Sequence, residues 1–143
     1  MKTEEMVSFL TRVPLFQGLN NRQLGQIAGR LVPRTFQPDQ KIVSQGKSGF
    51  GMFLVTCGKA EVVLELADGS KTVVNSFGPT DFFGEVTMLD GGPRTASVVA
   101  CEETECLVLD RIEFISLMHQ DAELATEIAI AVAKRLRRAL GAL

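Results

Sequence analysis

The spacing of hydrophobic positions changes along the chain, and each change marks a different kind of element. Across residues 1–33 hydrophobic side chains recur at every third or fourth position, which is typical of amphipathic helices. One helix is predicted over residues 3–11. A second is predicted after Asn20, a residue type that caps helix N-termini, and ends before Pro33. The inward-facing positions of these two helices are Met6, Phe9, Leu10, Leu24, Ile27, Ala28 and Leu31.

From residue 34 to residue 109 hydrophobic and polar positions alternate, which favours short β-strands. The predicted strands are Thr35–Phe36, Lys41–Ser44, Met52–Val55, Glu61–Leu66, Thr72–Val74, Ala96–Ala100 and Glu105–Leu109. Turn signals separate them, including the hairpin signal Asp68-Gly69. Short strands at this regular spacing predict a small antiparallel roll or sandwich, which a helix-like turn interrupts at residues 84–89.

Helical spacing returns in the C-terminal segment. Asp110 is predicted to cap a helix over residues 111–118, with Glu113 at the reciprocal capping position. Asp121 opens the longest helix, which runs to about residue 140. The predicted apolar face of that helix consists of Leu124, Ile128, Val132, Leu136 and Leu140.

Composition places the chain among ordinary globular proteins. Of its 143 residues, 45% are hydrophobic and 22% charged, and the net charge of −2 argues against non-specific nucleic-acid binding. The N-terminus lacks a secretion signal, and no apolar run approaches the ~20 residues that cross a membrane. Three cysteines, an odd and sparse set, favour reduced thiols that serve as small buried side chains and not as metal ligands. We therefore expect a cytoplasmic, mainly β, α+β protein of a single domain, residues 1–143, that has no membrane partner.

No motif in the sequence points to catalysis. There is no nucleophile elbow, no Walker loop and no paired-carboxylate motif, and Gly49-Phe50-Gly51 lacks the third glycine of a dinucleotide loop. His119, the single histidine, falls at the end of a predicted helix, where a solvated or capping role is expected. We predict that the protein is not an enzyme and needs no cofactor.

The strongest chemical signal is the stretch 82–98. Gly84 permits close backbone approach, and the N–H groups at the start of the short helix after it attract an anion. Arg94 can bind a phosphate through two parallel N–H donors, whereas an ionised Glu85 only accepts hydrogen bonds and so suits a hydroxyl group. The alternative is an internal ion pair between Arg94 and Glu85 without any ligand, although a buried pair of that kind is costly.

This stretch resembles the phosphate-binding cassette of the cyclic nucleotide-binding domain family. The family pattern is roughly Phe-Gly-Glu-aliphatic-small-Leu, a variable loop, and then Pro-Arg-(Ser/Thr/Ala)-Ala-x-aliphatic. Its counterparts in this chain are the stretches 83–89 and 93–98. The resemblance covers nearly the whole chain. It implies an antiparallel β-roll (jelly roll) over residues 34–109, with N-terminal helices in residues 1–33. It also implies a short helix in the cassette and the family's B and C helices in residues 110–140.

In that family each matched position has a role at the ligand. Gly84 and Ala96 would offer backbone N–H groups to the cyclic phosphate, Arg94 would pair with its exocyclic oxygens, and Thr95 would add a hydroxyl group. Glu85 would accept a hydrogen bond from the ribose 2′-hydroxyl. The other implied contacts are Phe83, Val86 and Val73 at sugar or base, and Arg135, which a gap-free alignment with catabolite activator members places near the ligand.

The resemblance implies a sensor that binds a cyclic mononucleotide, cAMP in preference to cGMP, and signals through its C-terminal helices to a protein effector and not to nucleic acid. The C-helix of this family often forms a lid or a dimer interface. A homodimer through that helix, a ligand-free interaction protein and a receptor for cyclic di-GMP therefore stay open. The basic turn 134–138 can compensate the helix dipole or contact a ligand or an acidic partner. Met1 and a helix that fades at Gly141 predict a complete stand-alone domain without an effector domain.

Overall fold

The computed structural model describes residues 1–141 and shows there five α-helices, one 3-10 helix and eight strands. The helices are α1 (Thr3–Leu10), the 3-10 helix (Pro14–Phe16), α2 (Asn21–Ala28), α3 (Glu85–Asp90), α4 (Arg111–Gln120) and α5 (Ala122–Leu140). The strands are β1 (Val32–Phe36), β2 (Lys41–Val43), β3 (Gly51–Cys57), β4 (Ala60–Glu65), β5 (Lys71–Phe77), β6 (Phe82–Phe83), β7 (Ser97–Ala100) and β8 (Thr104–Asp110). They form two compact units, a helical unit (residues 1–30 and 112–141) and a strand unit (Leu31–Arg111).

The strand unit consists of two four-stranded antiparallel sheets, with strand orders β1-β8-β3-β6 and β2-β7-β4-β5. Their inner faces share one hydrophobic core because side chains alternate between the two faces of each strand. The buried members of this core are Ile42, Val43, Phe53, Val55, Ala60, Phe83, Val98, Ala100, Cys106 and Val108. This architecture confirms the predicted antiparallel β-roll with helices before it, within its cassette and after it.

In the helical unit, helices α2 and α5 begin at the predicted cap residues, Asn20 and Asp121. The Asn20 side chain accepts a hydrogen bond from the Gln23 N–H, and the Gln23 side chain accepts one from the Asn20 N–H, both at 2.9 Å. Asp121 caps α5 by accepting from the Leu124 N–H at 3.1 Å. No helix within residues 1–141 combines the length and apolarity that crossing a membrane requires.

The prediction differs from the structure most clearly between α2 and β1 and at strand β6. Helix α2 ends at Ala28, and Pro33, expected beyond a helix reaching to Leu31, lies inside strand β1. Because β1 is an edge strand, a missing N–H at Pro33 is tolerated there. Strand β6, Phe82–Phe83, was not predicted, since two residues carry no alternation.

The capping box predicted for α4 is not formed. Asp110 precedes α4 directly, as the last residue of strand β8, but the hydrogen bonds of residues 1–141 include none between Asp110 and Glu113. Glu113 instead lies 3.6 Å from Arg30 in an ion pair within the helical unit. The N–H of Arg111, the first residue of α4, donates to the Phe50 carbonyl in the loop between β2 and β3.

The apolar face predicted for α5 is buried only in its first half. Leu124 and Ile128 are buried, whereas the last three positions of the face are exposed: Val132 (40%), Leu136 (58%) and Leu140 (59%). Periodicity identifies the apolar side of a helix but not how much of it is covered. We call these three side chains the exposed α5 stripe.

Candidate functional site

The turn into α3 requires a glycine for two separate reasons. Gly84 adopts a left-handed conformation, with φ 89° and ψ 7°, that residues with a Cβ rarely adopt. A Cβ at this position would also lie 2.5 Å from Arg94 Nη1 and 2.7 Å from the Gly51 carbonyl oxygen. The backbone of α3 therefore begins directly against the guanidinium group of Arg94.

Arg94 is fixed at both its backbone and its side chain. Its N–H donates to the Lys47 carbonyl and its own carbonyl accepts from the Gly46 N–H, both at 2.8 Å. Its Nη2 donates to the Gly51 carbonyl at 2.7 Å, and the residue is only 7% exposed. Burial lowers the pKa of Arg94, and the negative charge of Glu85 opposes that shift. A guanidinium held charged in such a desolvated position favours an anion beside it.

The loop between β2 and β3 is hydrogen-bonded to the cassette. Besides its bonds to Arg94, this loop donates from the Gly49 N–H to the Gly92 carbonyl at 2.8 Å. A Cβ at Gly49 would meet the Thr87 side chain and lie 3.3 Å from Arg94 Cζ. Sequence reasoning missed this role, although the glycines at 46, 49 and 51 were a signal of close packing.

Three phenylalanine rings form an apolar wall beside the anion position. Phe83 stacks on Phe53 with centroids 5.0 Å apart and on Phe77 with centroids 4.9 Å apart, at interplanar angles of 8° and 10°. Phe53 and Phe83 face each other because β3 and β6 pair at these two residues. Arg94 Cζ lies over the Phe53 ring, 5.9 Å from its centroid, so the guanidinium group makes a cation–π contact with this wall.

Arg94 and two of these rings, Phe77 and Phe83, line an open cavity of about 200 Å³ in the strand unit. Seven of the residues predicted from the sequence line it: Phe83, Gly84, Glu85, Val86, Arg94, Thr95 and Ala96. Sequence reasoning missed five further lining residues, which are Val43, Val62, Phe77, Thr87 and Val98. Four of these are inward positions of strands, for which alternation was the available signal, whereas Thr87 lies on α3.

The structure does not place Val73 at this cavity. Val62 pairs with Asn75 and Val63 with Val73, so a bulge leaves Val74 without a partner. Directly opposed residues share a face, and Val63 lines a different cavity, about 170 Å³ in volume, on the outer side of this sheet. Val73 therefore lies on that outer face, away from Val62 and the cavity at Arg94.

Arg135 belongs to the other unit. It lies on α5 and lines a small cavity of about 30 Å³ together with Pro14, Gln17, Ile130 and other residues of the helical unit. Its predicted role near the ligand stays a prediction.

A larger cavity, of about 390 Å³, lies in the helical unit and has the opposite chemistry. Its lining includes Glu123 and Glu127 but no lysine or arginine, so it offers no cation to a phosphate. Volume alone would favour this cavity as the functional site, whereas the chemistry of the lining residues favours the cavity at Arg94.

The cysteines only partly follow the prediction. Cys106 is buried, as expected, but Cys57 and Cys101 are exposed. Burial raises the pKa of Cys106 to about 12. Although Cys101 is exposed, partial desolvation and then the hydrogen bond that its Sγ donates to Glu61 raise its pKa to about 11. Both thiols are therefore protonated and weakly nucleophilic at neutral pH. Within residues 1–141, no three His, Cys, Asp or Glu side chains are grouped as a metal site would need.

The arrangement around Arg94 suits one kind of ligand. A buried cation, a nearby carboxylate and a flat apolar wall can together hold an anionic group, a hydroxyl-bearing group and an apolar or aromatic group. The lining of this cavity contains no cysteine, histidine or lysine. Besides Arg94, its polar side chains are one carboxylate, Glu85, and two hydroxyl groups, Thr87 and Thr95, all of which can bind a ligand.

Comparison with known proteins agrees with the chemistry of the cavity at Arg94. A family model described as the cyclic nucleotide-binding domain matches residues 33–121. The cAMP-activated global transcriptional regulator of Mycobacterium tuberculosis, described as CRP-like, is 28% identical over 133 residues, which cover 93% of this chain and 59% of that protein. The cyclic AMP receptor protein of Thermus thermophilus is 33% identical over 126 residues, covering 88% of this chain and 58% of that protein.

Solved structures agree with these sequence relatives. The N-terminal domain of a transcriptional regulator from Streptomyces coelicolor superposes with a TM-score of 0.85 at 30% identity, covering 94% of this chain and 96% of that one. The two sequence relatives are longer than this chain, which spans about three fifths of their length.

Proposed function

The chain belongs to the cyclic nucleotide-binding domain family, and we propose that it binds a cyclic mononucleotide, cAMP in preference to cGMP, in the cavity at Arg94. The observation that carries this proposal is the state of Arg94, which is buried, oriented by three hydrogen bonds and adjacent to the glycine turn of α3. A singly charged cyclic phosphate satisfies this guanidinium without bringing a second charge that would need its own partner.

The neighbouring residues fit the rest of such a ligand. Glu85, the first residue of α3, lines the same cavity as Arg94 and can accept the ribose 2′-hydroxyl. Thr95 and Ala96 follow Arg94 directly and can add a hydroxyl and an N–H to the phosphate. The stacked rings of Phe83 and Phe77 offer an apolar surface to the sugar or base.

The preference for cAMP rests on the relatives. Two of them carry cAMP in their names, as a cAMP-activated regulator and a cyclic AMP receptor protein. Thr95 does not decide the base, because its hydroxyl serves the phosphate in either case and can also reach a guanine amino group.

Isothermal titration calorimetry with cAMP, cGMP and cyclic di-GMP tests this proposal. We expect cAMP to saturate one site per chain with the lowest Kd of the three, and any nucleotide that purifies with the protein to be cAMP. Absence of saturation by all three nucleotides at about 1 mM, which corresponds to roughly 4 kcal/mol of binding energy, would reject it. Saturation by cyclic di-GMP alone would reassign the ligand.

The proposed hydrogen bond between Glu85 and the ribose 2′-hydroxyl can be tested by removing either partner, the carboxylate from the protein or the hydroxyl from the nucleotide. Wild-type protein should bind 2′-deoxy-cAMP about tenfold more weakly than cAMP, since an ionised acceptor loses its hydrogen-bond donor. Glu85→Ala should bind both nucleotides equally, to within about twofold, because the acceptor is then absent. Glu105→Ala, which changes an exposed carboxylate of β8 outside the cavity, should keep the wild-type preference. If Glu85→Ala instead raises the Kd of both nucleotides by the same factor, so that the tenfold preference for cAMP remains, Glu85 does not contact the 2′-hydroxyl.

We further propose that the occupied site signals through α4 and α5 to a protein effector, without catalysis and without direct contact to nucleic acid. A net charge of −2 gives little electrostatic attraction to a phosphate backbone. The exposed α5 stripe is an apolar surface that a partner or a second copy of the chain can cover.

That stripe also supports the second candidate function, a ligand-free protein that acts only by association. Ile130, on a different side of α5, is 42% exposed and adds to the uncovered apolar area of this helix. The calorimetric titration separates the two functions, because a protein of the second kind assembles but gives no saturation with any nucleotide.

A further inference from the structure

Arg111 links two segments of the strand unit that surround the candidate ligand site. Its backbone N–H donates to the Phe50 carbonyl at 2.6 Å, and Phe50 belongs to the loop between β2 and β3. Its Nη2 donates to the Leu89 carbonyl at 3.2 Å, and Leu89 belongs to the last turn of α3. A single residue, the first of α4, thus connects the supporting loop to the cassette helix.

Both ends of this link lead directly to the proposed ligand-binding residues. Phe50 lies between Gly49 and Gly51; the first packs against the Arg94 guanidinium and the second accepts its Nη2 hydrogen bond. At the other end, α3 is only six residues long and begins with Glu85. A short helix moves as one body, so the position of Leu89 also fixes that of Glu85.

The side chain of Arg111 is closely packed but incompletely bonded. Its Nε is buried and has no hydrogen-bond partner among residues 1–141. A Cβ at Gly91, which ends α3 in a left-handed conformation, would lie 3.2 Å from that Nε. A buried donor without a partner is unfavourable, so packing alone does not account for an arginine at this position.

From this geometry we propose that Arg111 is a positioning residue for the cyclic nucleotide site, holding α3 and the β2–β3 loop at the spacing that lets Arg94 and Glu85 act on one ligand. This inference rests on the proposed function. Arg111 does not line the cavity and touches no ligand; it acts through the Leu89 and Phe50 carbonyls.

The test compares Arg111→Met, which keeps an unbranched side chain but removes the guanidinium donors, with Arg111→Lys, which returns one donor to the Leu89 carbonyl. The backbone bond to Phe50 is unchanged in both. We expect Arg111→Met to raise the Kd for cAMP about tenfold and Arg111→Lys to restore it to within about threefold of wild type. Arg34→Met makes the same chemical change on exposed strand β1, outside the cavity, and should leave the Kd unchanged.

A second measurement, on the ligand-free proteins, separates this inference from the proposed function. The side-chain Nε–Hε resonance of Arg94 in a 15N spectrum should shift in Arg111→Met and return towards its wild-type position in Arg111→Lys. It should stay in place in Arg34→Met. If the wild-type protein binds no nucleotide but Arg94 responds in this way, the proposed function fails and the positioning role stands. If wild type binds cAMP and Arg111→Met changes neither the Kd nor the Arg94 resonance, the inference is overturned.

Discussion

Arg94→Ala is expected to raise the Kd for cAMP at least ~100-fold, because the phosphate loses its charged, two-donor partner at a desolvated site. The variant should still fold. Removing a buried guanidinium relieves a desolvation cost, while the Gly51 carbonyl loses one hydrogen bond. Isothermal titration gives the Kd, and circular dichroism verifies the fold.

Two further variants make the Arg94 result specific. Arg94→Lys keeps the positive charge but not the paired donors, so we expect an intermediate loss of about tenfold. Arg34→Ala removes an exposed arginine of the same unit and should bind like wild type. An Arg94→Ala protein that retains wild-type affinity would show that the phosphate is held elsewhere.

Gly84→Ala is expected to impair both stability and binding. Alanine at φ 89° is strained, and its Cβ would meet Arg94 Nη1 and the Gly51 carbonyl, so α3 or Arg94 must move. We expect the free energy of unfolding to fall by about 2–3 kcal/mol and the Kd for cAMP to rise at least ~10-fold. Urea denaturation and calorimetry measure the two effects.

Gly69→Ala is the matched control, because Gly69 has nearly the same backbone conformation, φ 86°, but open space around its Cβ position. Its free energy of unfolding should fall by the conformational strain alone, about 1 kcal/mol, and its Kd for cAMP should equal that of wild type. If Gly84→Ala behaves like Gly69→Ala in both measurements, crowding at the cassette is not what requires a glycine at position 84.

The cassette residues could be read from the sequence because each answers a separate local requirement. Gly84 is required by a positive φ and a close contact, and Arg94 and Glu85 are the charged groups placed beside that turn. The roll itself could be predicted because alternation of hydrophobic and polar residues runs through most of its strands. Strand β6 could not, since a pair of adjacent phenylalanines has no periodicity.

Other features depend on pairing that no local pattern encodes. Val73 and Phe77 lie an even number of residues apart, so alternation places them on one face of β5. The unpartnered Val74 shifts the register between them and separates the two faces. Likewise, the spacing of Leu136 identifies the apolar side of α5, but the sequence does not show that this part of the side stays exposed.

The stacked wall of Phe53, Phe83 and Phe77 has a spectroscopic consequence. The chain contains neither tryptophan nor tyrosine, so phenylalanine is its only aromatic chromophore and its near-ultraviolet absorbance is weak. A purine bound in the cavity would dominate the absorbance spectrum of the purified protein. An indole introduced at Phe77 would be the sole strong fluorophore of the chain, and every change in its emission would report on the cavity that it lines.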